Sequence, residues 1–130
     1  MIPKFRVWDK KAEVMREIKA LIWEENNLIA HCQPRGHEYN EWFTVVLQGC
    51  EYQLMQSTGL FDKDGVEIWE GDIVLDRWAN GYTPVFQNGI YMAYDPKNLM
   101  QNDPSTQFNI IWKDGCEVIG NVYEHNHLLK

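Results

Sequence analysis

Apolar and polar positions alternate with a period of two in several short runs, separated by glycine, proline and aspartate turns. Lys4 to Trp8 sets Phe5 and Val7 against Arg6 and Trp8, bounded by Pro3 and Asp9-Lys10, and predicts a strand. Trp42 to Leu47 (WFTVVL), rich in β-branched and aromatic side chains, predicts another; Glu51 to Met55, Val66 to Trp69 and Asp72 to Trp78 follow. Val85-Phe86 and Ile90 to Tyr94 flank Asn88-Gly89, a dipeptide that readily takes the positive φ angles of a type I′ turn, so they read as a hairpin. Phe108 to Trp112 (FNIIW), a Lys113-Asp114-Gly115 turn and Val118 to Tyr123 predict a second hairpin. Two loops stand out, Cys32 to Asn40 with Pro34 and Gly36, and Asp95 to Ser105 with Pro96 and Pro104. The segment from Ala12 to Ile29 resists this reading. Val14, Met15, Ile18, Leu21, Ile22 and Ile29 fall at helical spacing with no glycine or proline between them, yet Ile18, Ala20 and Ile22 also alternate as a strand would, entered from a turn at Lys10 to Glu13. Local signals leave residues 14–29 open between strand and helix.

Residues 57 to 74, STGLFDKDGVEIWEGDIV, concentrate five carboxylates (Asp62, Asp64, Glu67, Glu70, Asp72) and three glycines (Gly59, Gly65, Gly71), so they are the first place to look for chemistry. A calcium loop of the EF-hand type puts its sharp-turn glycine at the sixth position, whereas Gly65 is fourth counting from Asp62. A carboxylate-based hydrolase needs two acids facing each other across a cleft, and Glu67, Glu70 and Asp72 offer at most one wall. Turn chemistry accounts for the segment more simply. Asp64-Gly65 sits between Leu60-Phe61 and Val66-Ile68 where a hairpin needs left-handed backbone angles, Glu70-Gly71-Asp72 turns the chain into the apolar Ile73-Val74-Leu75, and the carboxylates are expected to face water. His125 and His127 form an H-x-H that would share one face of a strand and could take a metal with a cysteine, but no Cys-x-x-Cys or second ligand pair accompanies them. Cys50 or Cys116 as a nucleophile would need a partnered histidine that nothing in the sequence places. No nucleophile elbow, phosphate loop or dinucleotide fingerprint is present.

At 130 residues, 45% of them hydrophobic, the chain is expected to form a single domain, residues 1–130, with its own core. Cys32, Cys50 and Cys116 are odd in number and widely spaced, as expected of reduced thiols in a cytoplasmic protein, and no apolar run approaches a membrane span or the core of a signal peptide. The net charge of −7 argues against broad contact with nucleic-acid phosphates, which draws its energy from lysine and arginine displacing counterions. The charge is uneven. Residues 1–20 hold six bases against three acids, and the remaining 110 residues hold six against sixteen, a basic arm on an acidic body that suits self-association or an anionic partner. Lys4, Arg6, Trp8, Lys10 and Lys11 form the candidate interaction surface.

Three blocks of sequence carry a resemblance. Lys4-Phe5-Arg6-Val7-Trp8-Asp9 opens it. Leu54-Met55-Gln56-Ser57-Thr58-Gly59-Leu60, the Asp62-Lys63-Asp64-Gly65 turn and Glu67-Ile68-Trp69-Glu70-Gly71-Asp72-Ile73-Val74 continue it, and Val118-Ile119-Gly120-Asn121-Val122-Tyr123-Glu124 with Leu128-Leu129 closes it. The chain resembles the YopX family of small proteins encoded by bacteriophages and prophages. Residues 23 to 50 and 77 to 117 match only in general character, and His125-Asn126-His127 stands where the family often has Asn-Pro-Glu. The resemblance implies a mainly β fold, a single bent, barrel-like domain of short antiparallel strands with little helix, which tips Met15 to Ile22 toward a strand. It also implies ring-like homo-oligomers, and it brings no catalytic residue, cofactor or metal. Gly59, Asp64, Gly65, Glu70, Gly71, Asp72, Gly120, Asn121 and Tyr123 are its turn signature. The expectation is a non-enzymatic, homo-oligomeric interaction module of the host bacterial cytoplasm, with a phage or host protein as a further partner. A nucleic-acid accessory protein using the basic N-terminal segment and a carboxylate-based hydrolase are the alternatives.

Overall fold

The computed structural model describes residues 3–32, 43–46, 52–97, 104 and 106–129. Most of both predicted loops, Trp42, Leu47, Cys50 and Glu51 lie outside them. The chain's contacts gather into two compact units, Ile2–Gln56 and Ser57–Lys130, and no helix among the described residues is long and apolar enough to cross a membrane.

In the first unit, β1 (Phe5–Asp9), β2 (Val14–Glu24), β3 (Asn27–Cys32), β4 (Phe43–Val46) and the first half of β5 (Tyr52–Phe61) pair antiparallel in the order β4-β3-β2-β1-β5. The β1–β2 turn is made by Asp9, whose Oδ1 accepts the N–H groups of Lys11 and Ala12, both at 3.1 Å, while its Oδ2 takes Arg16 Nε at 3.2 Å. Val7, Ala30 and Cys32 are fully buried, with Ile18, Leu21 and Tyr52 packed on them. The ambiguous segment is thus two strands, and the bulge in β2 explains its helical look. Ile18 pairs with Cys32 and Ala20 with His31, so Lys19 is an extra residue that reverses the alternation. Ile18 and Leu21, three positions apart, therefore reach the same core, a spacing that a regular strand would split between its two faces.

The second unit holds the rest of β5, β6 (Glu67–Trp69), β7 (Asp72–Asp76), β8 (Gly81–Gln87), β9 (Ile90–Tyr94), β10 (Thr106–Gln107), α1 (Phe108–Lys113), β11 (Cys116–Asn121) and a 3-10 turn (Asn126–Leu129). Strand β6 pairs with β5, and the others form an antiparallel sheet in the order β10-β9-β8-β7-β11. The β8–β9 hairpin turns at Asn88-Gly89 as expected, with φ of 54° and 88°. FNIIW, expected as a strand, is helix α1. Phe108 and Ile111, three apart, both enter the core formed by Ile68, Val74, Ala93 and Cys116, while Ile110 is left 52% exposed, whereas a strand would have aligned Phe108 with Ile110. Gly115, at φ 93°, ends this helix by donating its N–H to Trp112 O at 3.1 Å. The mainly β, antiparallel expectation holds, and the sheets are open rather than closed into a barrel.

Candidate functional site

The acidic, glycine-punctuated stretch is a set of hydrogen-bond acceptors for the backbone. At Ser57 to Phe61 strand β5 carries two more residues than β6 opposite it, and Gly59 takes φ 76° within that bulge. The hydroxyls organise it: Ser57 Oγ donates to Glu67 Oε2 at 2.5 Å and accepts the Gly59 N–H, and Thr58 Oγ1 donates to Ile68 O at 2.6 Å and accepts the Leu60 N–H. Asp62 clamps the next turn. Its Oδ1 accepts the N–H groups of Asp64 (2.9 Å) and Val66 (2.8 Å) around Gly65, and its Oδ2 accepts the Val118 N–H (2.9 Å) on β11. Burial works to raise its pKa, but these donors and the Lys63 charge outweigh it and hold the carboxyl below the ordinary 3.8.

Glu70 accepts the Phe86 N–H at 3.1 Å, and Asp72 accepts the Trp69 N–H at 2.8 Å across the Gly71 turn. Asn121, opposite Asp72 in the β7–β11 register, plays the matching part, its Oδ1 accepting the N–H groups of Tyr123 and Glu124 at 3.0 and 2.7 Å. Gly120 is small for a reason of packing: a Cβ there would lie 2.7 Å from His125 Cγ, and the same ring accepts the Asn121 N–H through Nδ1 at 3.1 Å.

The carboxylates were expected in water, and the structure corrects this. Asp62 and Asp72 are only 7% and 4% exposed, Glu67 and Glu70 are half-buried, and Asp64 is exposed. The reason is that backbone donors flank each turn, and burying a carboxylate among them costs less than burying those N–H groups unpaired. Val66, placed by alternation beside the buried Ile68, is instead 48% exposed.

The other candidates disperse. His125 and His127 are not on a strand; their ring centroids lie 6.0 Å apart, and the Nδ1 of His125 is occupied by the Asn121 amide. Among the described residues no three histidines, cysteines or carboxylates cluster as a metal site would. Burial pushes the Cys32 thiol up to about 11, and burial together with the Asp62 charge raises that of Cys116, so neither is a thiolate at neutral pH. Among the described residues, a groove of about 480 Å³ over Ile73, Leu75, Ile119 and Leu128 has Asp95 as the one carboxylate in its lining, and Glu67, Glu70 and Asp72 do not reach it.

Of the candidate interaction surface, Trp8 is buried, a correction that follows from its place on β1, which is flanked on both sides, with Met15 of β2 and Gln53 of β5 opposite Trp8. Lys4, Lys10 and Lys11 are exposed and Arg6 is half-buried. Lys4 and Lys10 lie at the two ends of β1, about 20 Å apart at 3.3 Å per residue, so these bases do not form one patch.

Sequence reasoning passed over a different surface, the β2–β3 hairpin end. Beyond the reach of β1, Ile22 pairs with Ile29 on one face and Trp23 with Leu28 on the other, joined by a Glu25-Asn26 turn with Glu25 at φ 53°. Ile22 is 39% and Trp23 74% exposed. The signal was present in LIWEENNLIA, where two apolar triplets flank a polar quartet.

These features define a class, a mainly β protein whose acidic, glycine-punctuated stretch builds hairpin turns and the caps that hold them. The chain belongs to the YopX family, whose model, described as YopX protein, matches residues 4–130. It is similar over its whole length to the crystal structure of protein EF1440 from Enterococcus faecalis, with 28% identity, a TM-score of 0.64, and coverage of 100% of this chain and 99% of that one. No curated protein matches it.

Proposed function

We propose that this chain is a non-enzymatic protein-interaction module, encoded by a phage or prophage, that works as a homo-oligomer in the bacterial cytoplasm and engages a phage or host protein. The observation that carries this is the β2–β3 hairpin end, which is apolar on both faces. Beyond β1 the described residues pair β2 with β3 alone, so Ile22 on one face and Trp23 on the other stay 39% and 74% exposed, and exposed Trp is characteristic of surfaces that a partner covers. The engagement of Asp62 and Asp72 by backbone donors supports a reading without catalysis, and the free Cys32 and Cys116 thiols suit a reducing compartment.

Sedimentation velocity across a range of concentrations tests it: the wild type should sediment as an assembly, and Trp23→Ser should shift it toward monomer. A wild type that is monomeric at every concentration would remove self-association. The nucleic-acid reading is tested alongside by fluorescence anisotropy with single- and double-stranded DNA and RNA at low salt, where we expect no saturable binding.

A further inference from the structure

The two ends of β2 carry unlike charge. At one end the Glu25-Asn26 turn presents Glu24 and Glu25, both exposed, and residues 20–30 contain no lysine or arginine. The nearest base on the strand, Lys19, is engaged by Glu17 at 2.8 Å. At the other end, Lys10 and Lys11 are exposed in the β1–β2 turn. The carboxylate next to them, Asp9, is turned inward to Arg16 and the Lys11 and Ala12 amides, so its charge is compensated within the fold, and Glu13 is the one exposed acid of that turn. From Val14 to Glu24 the strand spans about 33 Å at 3.3 Å per residue, several Debye lengths at physiological salt, so the two ends of one copy do not neutralise each other.

We propose that the Trp23-Glu24-Glu25 tip of one copy docks on the Lys10-Lys11 turn of a second copy. This rests on the reading of the chain as self-associating and names the surfaces that do it. The tip is suited to lysine: Glu24, on the face opposite Trp23, and Glu25, in the turn, offer carboxylates for the ammonium groups, and the Trp23 indole, 74% exposed, has a face that accepts a cation and area that packs against a lysine stem. Tip against tip would bring four glutamates together, a like-charge arrangement that disfavours that alternative. A contact between unlike ends can propagate from copy to copy, closing if the rotation allows, or be made twice in an antiparallel pair.

Charge swapping tests this, and all four positions are exposed, so the fold should survive; circular dichroism checks that it does. Glu24→Lys with Glu25→Lys, and separately Lys10→Glu with Lys11→Glu, should each weaken association by about tenfold or more in sedimentation velocity at 50 mM salt. The chain carrying all four changes should recover association to within about threefold of wild type, as should an equimolar mixture of the two double variants. Raising salt to 500 mM should weaken the wild type, since the contact is exposed to screening. If the wild type associates but the double variants associate equally well, or the fourfold chain is not rescued, the contact lies elsewhere and this inference falls while self-association stands. A monomeric wild type overturns both.

Discussion

Asp62 offers the sharpest test of the turn architecture. One carboxylate oxygen serves the Asp64 and Val66 amides of the β5–β6 turn, and the other reaches 56 residues along the chain to the Val118 amide on β11. Lys63 N–H adds a bond to Cys116 O at 3.1 Å, so the turn lies along the outer edge of β11 and satisfies groups that an edge strand would otherwise leave open. In Asp62→Asn the amide oxygen keeps the two turn donors, and the NH₂ group then faces the Val118 N–H, donor against donor. The loss is one charge-assisted bond and one half-buried amide left unsatisfied, about 2 kcal/mol, or about 6–10 °C in Tm for a chain of this size. Urea unfolding at pH 7 reads it directly. The pH dependence supplies an independent check. Because the folded pKa is lowered below 3.8, the stabilisation is fully present above that value and is lost as pH falls through the folded pKa. The gap between wild type and Asp62→Asn should therefore narrow steadily as the pH is taken from 5 toward 2.5. A variant within about 0.5 kcal/mol of wild type at pH 7, or a gap that stays constant into acid, would refute the reasoning.

Gly120→Ala should cost about 1–2 kcal/mol by driving a Cβ into the His125 ring, and most of that should disappear in the His125→Ala background, a non-additivity that thermal unfolding of the four chains would measure. Phe108→Ala, which empties the largest fully buried position of the second unit's core, should cost about 3–4 kcal/mol, whereas Ile110→Ala on the exposed side of α1 should fall within about 0.5 kcal/mol; equal losses would contradict a helix there. Cys32, buried and pushed up to about 11, should resist a thiol reagent at pH 8 in the native protein and react within minutes in 6 M guanidinium, with thiol release followed by absorbance.

Much of this fold was legible residue by residue where the requirement is local. Asn88-Gly89, Asp64-Gly65 and Gly71 predict turns because only such residues take positive φ cheaply, and their φ angles are positive at Asn88, Gly89, Gly65 and Gly71. The alternation in Lys4 to Trp8 and in Ile90 to Tyr94 likewise became β1 and β9. What misled was spacing whose meaning depends on the core. Apolar residues three apart recur in both problem segments, and the structure resolves them in opposite ways. Ile18 and Leu21 meet one core because Lys19 bulges out of β2, and Phe108 and Ile111 meet another because the chain coils into α1. A window of ten residues contains no information about which solution the surrounding strands will accept.

The candidate site divides along the same line. The sequence alone determined where the chain turns and that no established catalytic motif is present, since backbone angles and motif spacing are properties of neighbouring residues. The tertiary structure decided that Asp62 and Asp72 are buried caps, that Trp8 is interior, and that Ile22 and Trp23 are left outside at a hairpin end. Those outcomes depend on donors and packing partners supplied by distant segments, such as the Val118 amide that holds Asp62, and a linear sequence does not bring such groups together until the sheets form.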